Sequence, residues 1–402
     1  MSNPPKLRIG VAGLGRAGAS MLAAMVQHPL VQVTAAADPR PEPRDRFEMD
    51  LGGQTFASVE EMVSSPSVDV VYVATPHQFH VENVVTAARA GKHIICEKPM
   101  ALTLADCDAM IEAVESQQVQ MVVGHTHSHD PAIRLMRRLI AGGEYGALGM
   151  INNWVFTDFL YRPRRPEELD TSQGGGILFN QVPHQVDIAR HLAGGLVRSV
   201  RAYTGVWDRR RPTEAASAVF IDFASGAAAT LIYNGYDHFD TDEFTFWVGE
   251  GGQEKTPKHG QARRALDADL SSEAEAALKY STGYGGKHPA ARGRVVALSH
   301  QPHFGTLIAS CERADLRPSA DGVLIYADAG PDEVSLPPSS SGVPGRGDTL
   351  DELYGAVFHN RPAFHSPRWG KATLAVCLAI QQSARERREI MVEHQVPNMG
   401  EE

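Results

Sequence analysis

The densest run of chemistry-bearing side chains is VVGHTHSHDP, residues 122–131, where His125, His127 and His129 stand at every second position. On an extended strand such residues share a face, so His125 and His127 suit either a His-x-His chelate or the reading of a substrate's oxygens. A zinc site needs a third ligand and usually an open position. His184 or His303 could supply that ligand, but no spacing demands it, and no metal is expected. Asp130-Pro131 reads as a helix N-cap followed by proline at the first helical position, and Ile133, Met136, Leu139 and Ile140 recur at helical spacing. The alternation therefore ends near His127. His129 falls in the turn, and His127 is the expected substrate contact.

The second chemical signature is Gly13-x-Gly15-x-x-Gly18, between the apolar run LRIGVAG and a helical pattern. Asp38 ends the next apolar run, VQVTAAAD, twenty residues after Gly18. The glycines permit a tight turn, a close approach to a pyrophosphate and close helix packing. The first backbone N–H groups of the helix, at Arg16 and Ala17, face the phosphates. Asp38 would accept from the ribose hydroxyls. Its charge favours NAD by repelling a 2'-phosphate, while Arg40 leaves NADP open.

Alternating elements carry this pattern onward. VDVVYVAT, KHIICE and VQMVVG read as strands, and QFHVENVVTAARAG and TLADCDAMIEAVESQ as helices. They predict a doubly wound parallel sheet over residues 1–128. Ligands of such sheets sit beyond the carboxyl ends of the strands, which singles out Thr75, Pro76 and His77, then Glu97, Lys98 and Pro99, then His125 to His127. Residues 129–402 should form an α/β domain with a large, mostly antiparallel open sheet, from strand-like GMINNWVF, VRSVRAYTGVW, SAVFIDF, AAATLIYNGY and EFTFWVG. Residues 250–295 read as an inserted loop or short helix, and SLPPSSSGVPGRGD as a flexible connection.

The glycine fingerprint, VATPHQFH, AGKHIICEKPMA and GGGILFNQVPHQVDIARHL together resemble the glucose-fructose oxidoreductase / inositol dehydrogenase (Gfo/Idh/MocA) family over most of the chain. The resemblance implies a Rossmann domain, a C-terminal domain whose open sheet forms oligomer contacts, and hydride transfer from a carbinol carbon to a nicotinamide. It adds His80 and Glu97 to the cofactor side and makes Lys98 a catalytic residue that donates to a substrate oxygen. The family's second motif falls on Gly175 to Asp187, with His184 and Asp187 in place but Asn180 where the family has an acid. On one continuous helix Asn180, His184 and Asp187 share a face, so Asn180 and His184 should both meet substrate. An amide cannot take a proton, which leaves base chemistry to His184 or Lys98. Pro183 would kink that helix. An ammonium and an imidazole from different halves of the chain are thus expected to flank one nicotinamide.

FLYRPRRPEELD, the HQPHFGTLIASCERADLRPSADGVLIY stretch and VPHQVD look like the branch that oxidises carboxylated cis-dihydrodiols of aromatic rings, of the phthalate or chlorobenzoate type. Arg162, Arg164 and Arg165 offer guanidinium forks for a ring carboxylate, and His127 and His303 offer contacts to its oxygens. A sugar or inositol dehydrogenase is the rival on the same fold, and a non-catalytic NAD-sensing regulator the rival from another class.

Composition sets the frame. The chain has 402 residues, 43% of them hydrophobic, with a formal net charge of -10. Two domains are the default at this length, and a net anion argues against nucleic-acid or membrane-surface binding. Cys96, Cys107, Cys311 and Cys377 show no paired spacing. No apolar run approaches the ~18 residues of a membrane span and no signal-peptide core opens the chain, so a cytoplasmic homo-oligomer, a dimer or tetramer, acting on a small carboxylated diol is expected.

Overall fold

The computed structural model describes residues 4–266, 270–286, 299–337 and 345–398. Its strands run in chain order β1(Leu7–Ala12), β2(Val31–Ala37), β3(Gln54–Phe56), β4(Val70–Val73), β5(His93–Cys96), β6(Met121–Val123), β7(Leu148–Phe156), β8(Val197–Gly205), β9(Ala216–Phe223), β10(Ala228–Asn234), β11(Thr306–Cys311), β12(Ala314–Pro318), β13(Gly322–Ala327), β14(Gly330–Ser335) and β15(Ile390–Met391). The helices are α1(Arg16–Gln27), α2(Pro41–Leu51), α3(Val59–Val63), α4(His80–Arg89), α5(Leu104–Ser116), α6(Pro131–Gly142), α7(Gly176–Asn180), α8(Val182–Ala193), α9(Gln261–Ala265), α10(Ser272–Tyr280), α11(Arg346–Phe358) and α12(Pro367–Glu386). Among the described residues no helix is long and apolar enough to cross a membrane.

In the first of two compact units, six strands pair in the order β3-β2-β1-β4-β5-β6, all parallel. Apolar runs such as LRIGVA are buried almost throughout because helices cover both faces. The chain order reverses between β1 and β4, and the crevice of a doubly wound sheet opens at that switch point. This unit is not the continuous stretch 1–128. Residues 4–125 are joined by 272–286 and 345–371, because Leu350, Leu353 and Tyr354 of α11 enter the core built around Leu7, Ile9, Leu14 and Met21.

The second unit holds a nine-stranded sheet, β14-β13-β12-β11-β7-β10-β9-β8-β15, antiparallel except where β7 and β10 pair. Helix α8 is buried along its whole length and ties into the sheet: Gln185 Nε2 donates to Asn153 Oδ1 of β7 at 2.7 Å and to Ile232 O of β10 at 3.1 Å.

Three local expectations fail here. EFTFWVG is not a strand: residues 241–245 form a 3-10 turn started by Asp240, whose side chain accepts from Asp242 N, and Phe246 and Trp247 follow at positive φ. Strand β6 stops at Val123, so the alternation ends before His125 rather than near His127, while His129 lies in a 3-10 turn over residues 127–129 as expected. Asp130 stands at the α6 N-cap position but makes no side-chain capping bond; its carboxylate goes to His127 instead. The 250–295 insertion contains α9 and α10, while its residues 267–269 and 287–295 and residues 338–344 of the connection lie outside the described residues.

Candidate active site

The glycine loop has the form a dinucleotide phosphate needs. Gly13 takes φ +96°, and a Cβ there would lie 2.7 Å from Ala74 O. A Cβ on Gly18 would lie 2.0 Å from Gly13 O, so only glycine lets α1 pack this close to the loop. A Cβ on Gly15 would meet nothing within 4 Å, which leaves space in front of the exposed Arg16 and Ala17 at the α1 N-terminus. No acidic residue lies in that first turn to repel a phosphate. These features fit the pyrophosphate of a dinucleotide.

Asp38, at the end of β2, is 4% exposed. Its Oδ2 accepts from Leu14 N at 2.9 Å, which fixes the acid against the glycine loop. Arg40 forks onto the same carboxylate through Nε at 2.9 Å and Nη2 at 3.0 Å, and Arg44 Nη1 donates to Asp38 O at 2.6 Å. Asp38 therefore has two guanidinium groups beside it.

The turns after β4 and β5 are tied together by His80, which is fully buried. Its Nε2 lies 3.0 Å from Thr75 O and its Nδ1 3.0 Å from Pro99 O. Burial pushes its pKa down. Thr75 also accepts from Asn83 at 3.0 Å. Glu97 accepts from the Tyr72 hydroxyl at 2.6 Å and, through its other oxygen, from Lys98 N at 3.3 Å. It thus orients the backbone from which Lys98 projects, half-buried, beyond the strand. His77 packs edge-on against His80, ring centroids 5.6 Å apart.

In the second unit three rings cluster. His127 and His184 stand edge to face with centroids 4.8 Å apart, and Phe304 lies 4.8 Å from His127 and 5.0 Å from His184. Asn153 Nδ2 holds the Phe304 carbonyl at 2.9 Å, so the Gln185–Asn153 link sets the position of this ring as well as that of α8. His127 has a carboxylate on each nitrogen: Nδ1 lies 2.9 Å from Asp130 Oδ2 and Nε2 3.3 Å from Glu250 Oε1. Carboxylates only accept, so an imidazole satisfying both must carry both protons. Burial opposes that charge, but the two carboxylates outweigh it and raise the pKa to about 9. The sequence marks Asp130 only as an N-cap and carries no mark of this role for Glu250 or Phe304. The spacing of Asp130 three residues after His127 was the available signal.

Residues 7–125 match the family described as "Oxidoreductase family, NAD-binding Rossmann fold" and residues 133–253 match the "GFO/IDH/MocA C-terminal domain". The chain belongs to the Gfo/Idh/MocA oxidoreductase family. It is similar to the 1-carboxy-3-chloro-3,4-dihydroxycyclohexa-1,5-diene dehydrogenase of Comamonas testosteroni, 40% identical over 94% of this chain and 95% of that protein. A crystal structure from Bordetella bronchiseptica RB50, described as a dehydrogenase, superposes with a TM-score of 0.90 at 46% identity, over 96% of this chain and all (100%) of that one. The WlbA dehydrogenase of Bordetella pertussis, solved with NADH and UDP-GlcNAcA, shares the fold at a TM-score of 0.67 and 21% identity, covering 96% of this chain and 99% of its own.

The family's second motif departs here from one continuous helix. Helix α7 ends at Asn180, Gln181 breaks the path at φ -124° and ψ -47°, and α8 starts at Val182 with Pro183 in its first turn. Proline needs no N–H there, so it opens a new helix rather than kinking an old one. Asn180 and His184 therefore do not share a helix face. Asn180 Nδ2 donates to Gly174 O at 3.1 Å and Gly176 O at 2.8 Å, bracing the glycine run. Asp187, 1% exposed, acts electrostatically on the buried Arg190, whose pKa burial lowers to about 9.

The arginine loop divides. Arg162 pairs with Asp158 at 2.7 Å and keeps 27% of its side chain exposed, with Tyr233 and Glu250 near enough to act on its charge. Arg164 is buried over the Phe159 ring at 3.9 Å, donates to Phe159 O at 2.5 Å and faces Glu168 at 3.6 Å. It holds its own loop together. The His303 ring also turns inward, with Nε2 2.8 Å from Val248 O, whereas its neighbour Phe304 joins the ring cluster.

Proposed function

We propose that this oxidoreductase dehydrogenates a carboxylated cis-dihydrodiol of an aromatic ring to the catechol, with NAD as hydride acceptor. Near full-length similarity to the Comamonas dehydrogenase of a carboxylated chlorodihydrodiol carries the substrate class. The site supports it, because His127 is held as an imidazolium and Arg162 lies close enough to Glu250 to feel its field. A ring carboxylate that displaces the half-exposed Glu250 from His127 Nε2 would meet the imidazolium there.

A dinucleotide held through its pyrophosphate at the glycine loop would supply the hydride acceptor, its oxidised nicotinamide. His184 takes the hydroxyl proton as the carbinol C–H bond breaks and the C=O bond forms. Lys98 steadies the substrate oxygen through its ammonium and is the alternative base. His127 and Arg162 hold the carboxylate, and the phenylalanine ring of Phe304 keeps water from the imidazoles. The hydroxyketone then shifts its remaining carbinol proton to oxygen and becomes aromatic. The substrate loses one hydride and one proton in total.

Asp38 favours NAD over NADP, and Arg40 and Arg44 soften that preference, so NADPH should bind more weakly rather than not at all. We further infer a cytoplasmic homo-oligomer. Met150, Trp154, Tyr203 and Phe220 are 45%, 46%, 54% and 49% exposed, and strand register puts them on one face of the large sheet. A patch of that kind marks an interface. The decisive test is NADH formation with a panel of carboxylated cis-dihydrodiols, inositols and aldoses. The proposal requires turnover of the first group; turnover of sugars or inositols alone would replace it with a polyol dehydrogenase, and no reduction at all with a regulator.

A further inference from the structure

Residues 272–286 come almost 150 positions after the last strand of the parallel sheet, yet they fold onto the first unit. The segment lies directly on the glycine loop: Tyr284 N donates to Leu14 O at 3.0 Å, and a Cβ on Gly283 would sit 3.0 Å from that oxygen and 3.4 Å from Gly15 Cα. It is anchored on α2, where the Tyr284 hydroxyl donates to Asp50 at 2.9 Å and its ring meets Phe47 edge-on at 6.4 Å. At the start of this strap, Tyr280 ends α10 beneath the Arg40 guanidinium, whose carbon is 4.8 Å from the ring centroid. Arg40 is the group that forks onto the ribose acid Asp38.

Tyr284 explains how the strap is attached, but it does not explain Tyr280. That ring stays 46% exposed next to the cofactor's ribose acid. A large aromatic face and a guanidinium plane together form a platform on which a flat purine stacks.

We infer that the 272–286 strap is part of the cofactor site, with Tyr280 and Arg40 forming the wall that receives the adenosine half of the dinucleotide. This rests on the dinucleotide reading above and adds residues from the insertion to it. Binding of the adenosine end then stabilises the docked strap, and the docked strap strengthens binding.

NADH binding to the intact protein is followed by fluorescence titration, and backbone exchange of residues 272–286 by deuterium uptake with NADH or with reduced nicotinamide mononucleotide, which lacks adenosine. Tyr280→Ala should weaken NADH roughly threefold to tenfold, and Tyr280→Phe, which keeps the ring, should match wild type. NADH but not the mononucleotide should slow exchange in the strap. Wild-type affinity in Tyr280→Ala together with unchanged exchange would overturn the inference while leaving the dinucleotide reading intact. A wild-type protein that binds neither NADH nor NADPH would overturn both.

Discussion

The charge on His127 gives a pH signature. The carboxylates of Asp130 and Glu250 hold its pKa up at about 9 against the effect of burial, which favours the imidazolium by about 3 kcal/mol over an ordinary histidine. At pH 8 an ordinary histidine is about 3% charged and His127 about 90%. Because the folded-state value is raised, the benefit is complete below about pH 6.5 and is lost as pH rises through 9. If this charge grips the substrate carboxylate, KM for a carboxylated diol stays flat to about pH 8.5 and rises about tenfold per unit above 9. Asp130→Asn removes the nearer carboxylate, at 2.9 Å against 3.3 Å for Glu250, and should move that rise down by about one unit or more. KM is measured from pH 6.5 to 10 by NADH absorbance, with a diol lacking the carboxylate as control. Identical profiles in wild type, Asp130→Asn and Glu250→Gln would refute the argument, as would the same alkaline rise with the control.

Further outcomes follow from single contacts. Lys98→Ala should lose turnover, by roughly 100-fold or more, while NADH fluorescence reports unchanged binding. Gly15→Ala should melt like wild type but bind NADH more weakly, since its Cβ meets no protein atom; Gly18→Ala should lower Tm, since its Cβ meets Gly13 O. Arg164→Ala should cost about 3 kcal/mol of stability in a denaturant titration, whereas Arg162→Ala should raise KM and leave the unfolding midpoint close to wild type. Trp154→Glu should shift the proposed oligomer toward monomer in light scattering.

Much of the first unit was legible because its signals are local. Gly13, Gly15, Gly18 and Asp38 sit within one strand–helix–strand span, and their geometry follows from glycine's missing Cβ and the end of β2. Spacing misled where a single residue redirected the chain. Pro183 suits the first turn of a helix as well as the middle of a kinked one, so helical spacing predicts a shared face for Asn180 and His184 where the chain in fact breaks at Gln181. Asp130 has the sequence mark of an N-cap, but a neighbouring imidazole competes for its carboxylate and wins. Glu250 lies more than a hundred residues from His127, and Tyr284 still further from Leu14. No periodicity encodes such meetings; they exist only once the chain is folded.

The central claim is that a hydride leaves the carbinol carbon of a carboxylated cis-dihydrodiol for the nicotinamide. It is tested most directly with substrate deuterated at that carbon, with the recovered coenzyme read by proton NMR. The account predicts one deuterium at C4 of the nicotinamide for each catechol formed. Catechol formed without deuterium in the coenzyme, or label transfer only from deuterated inositols or sugars, would contradict it.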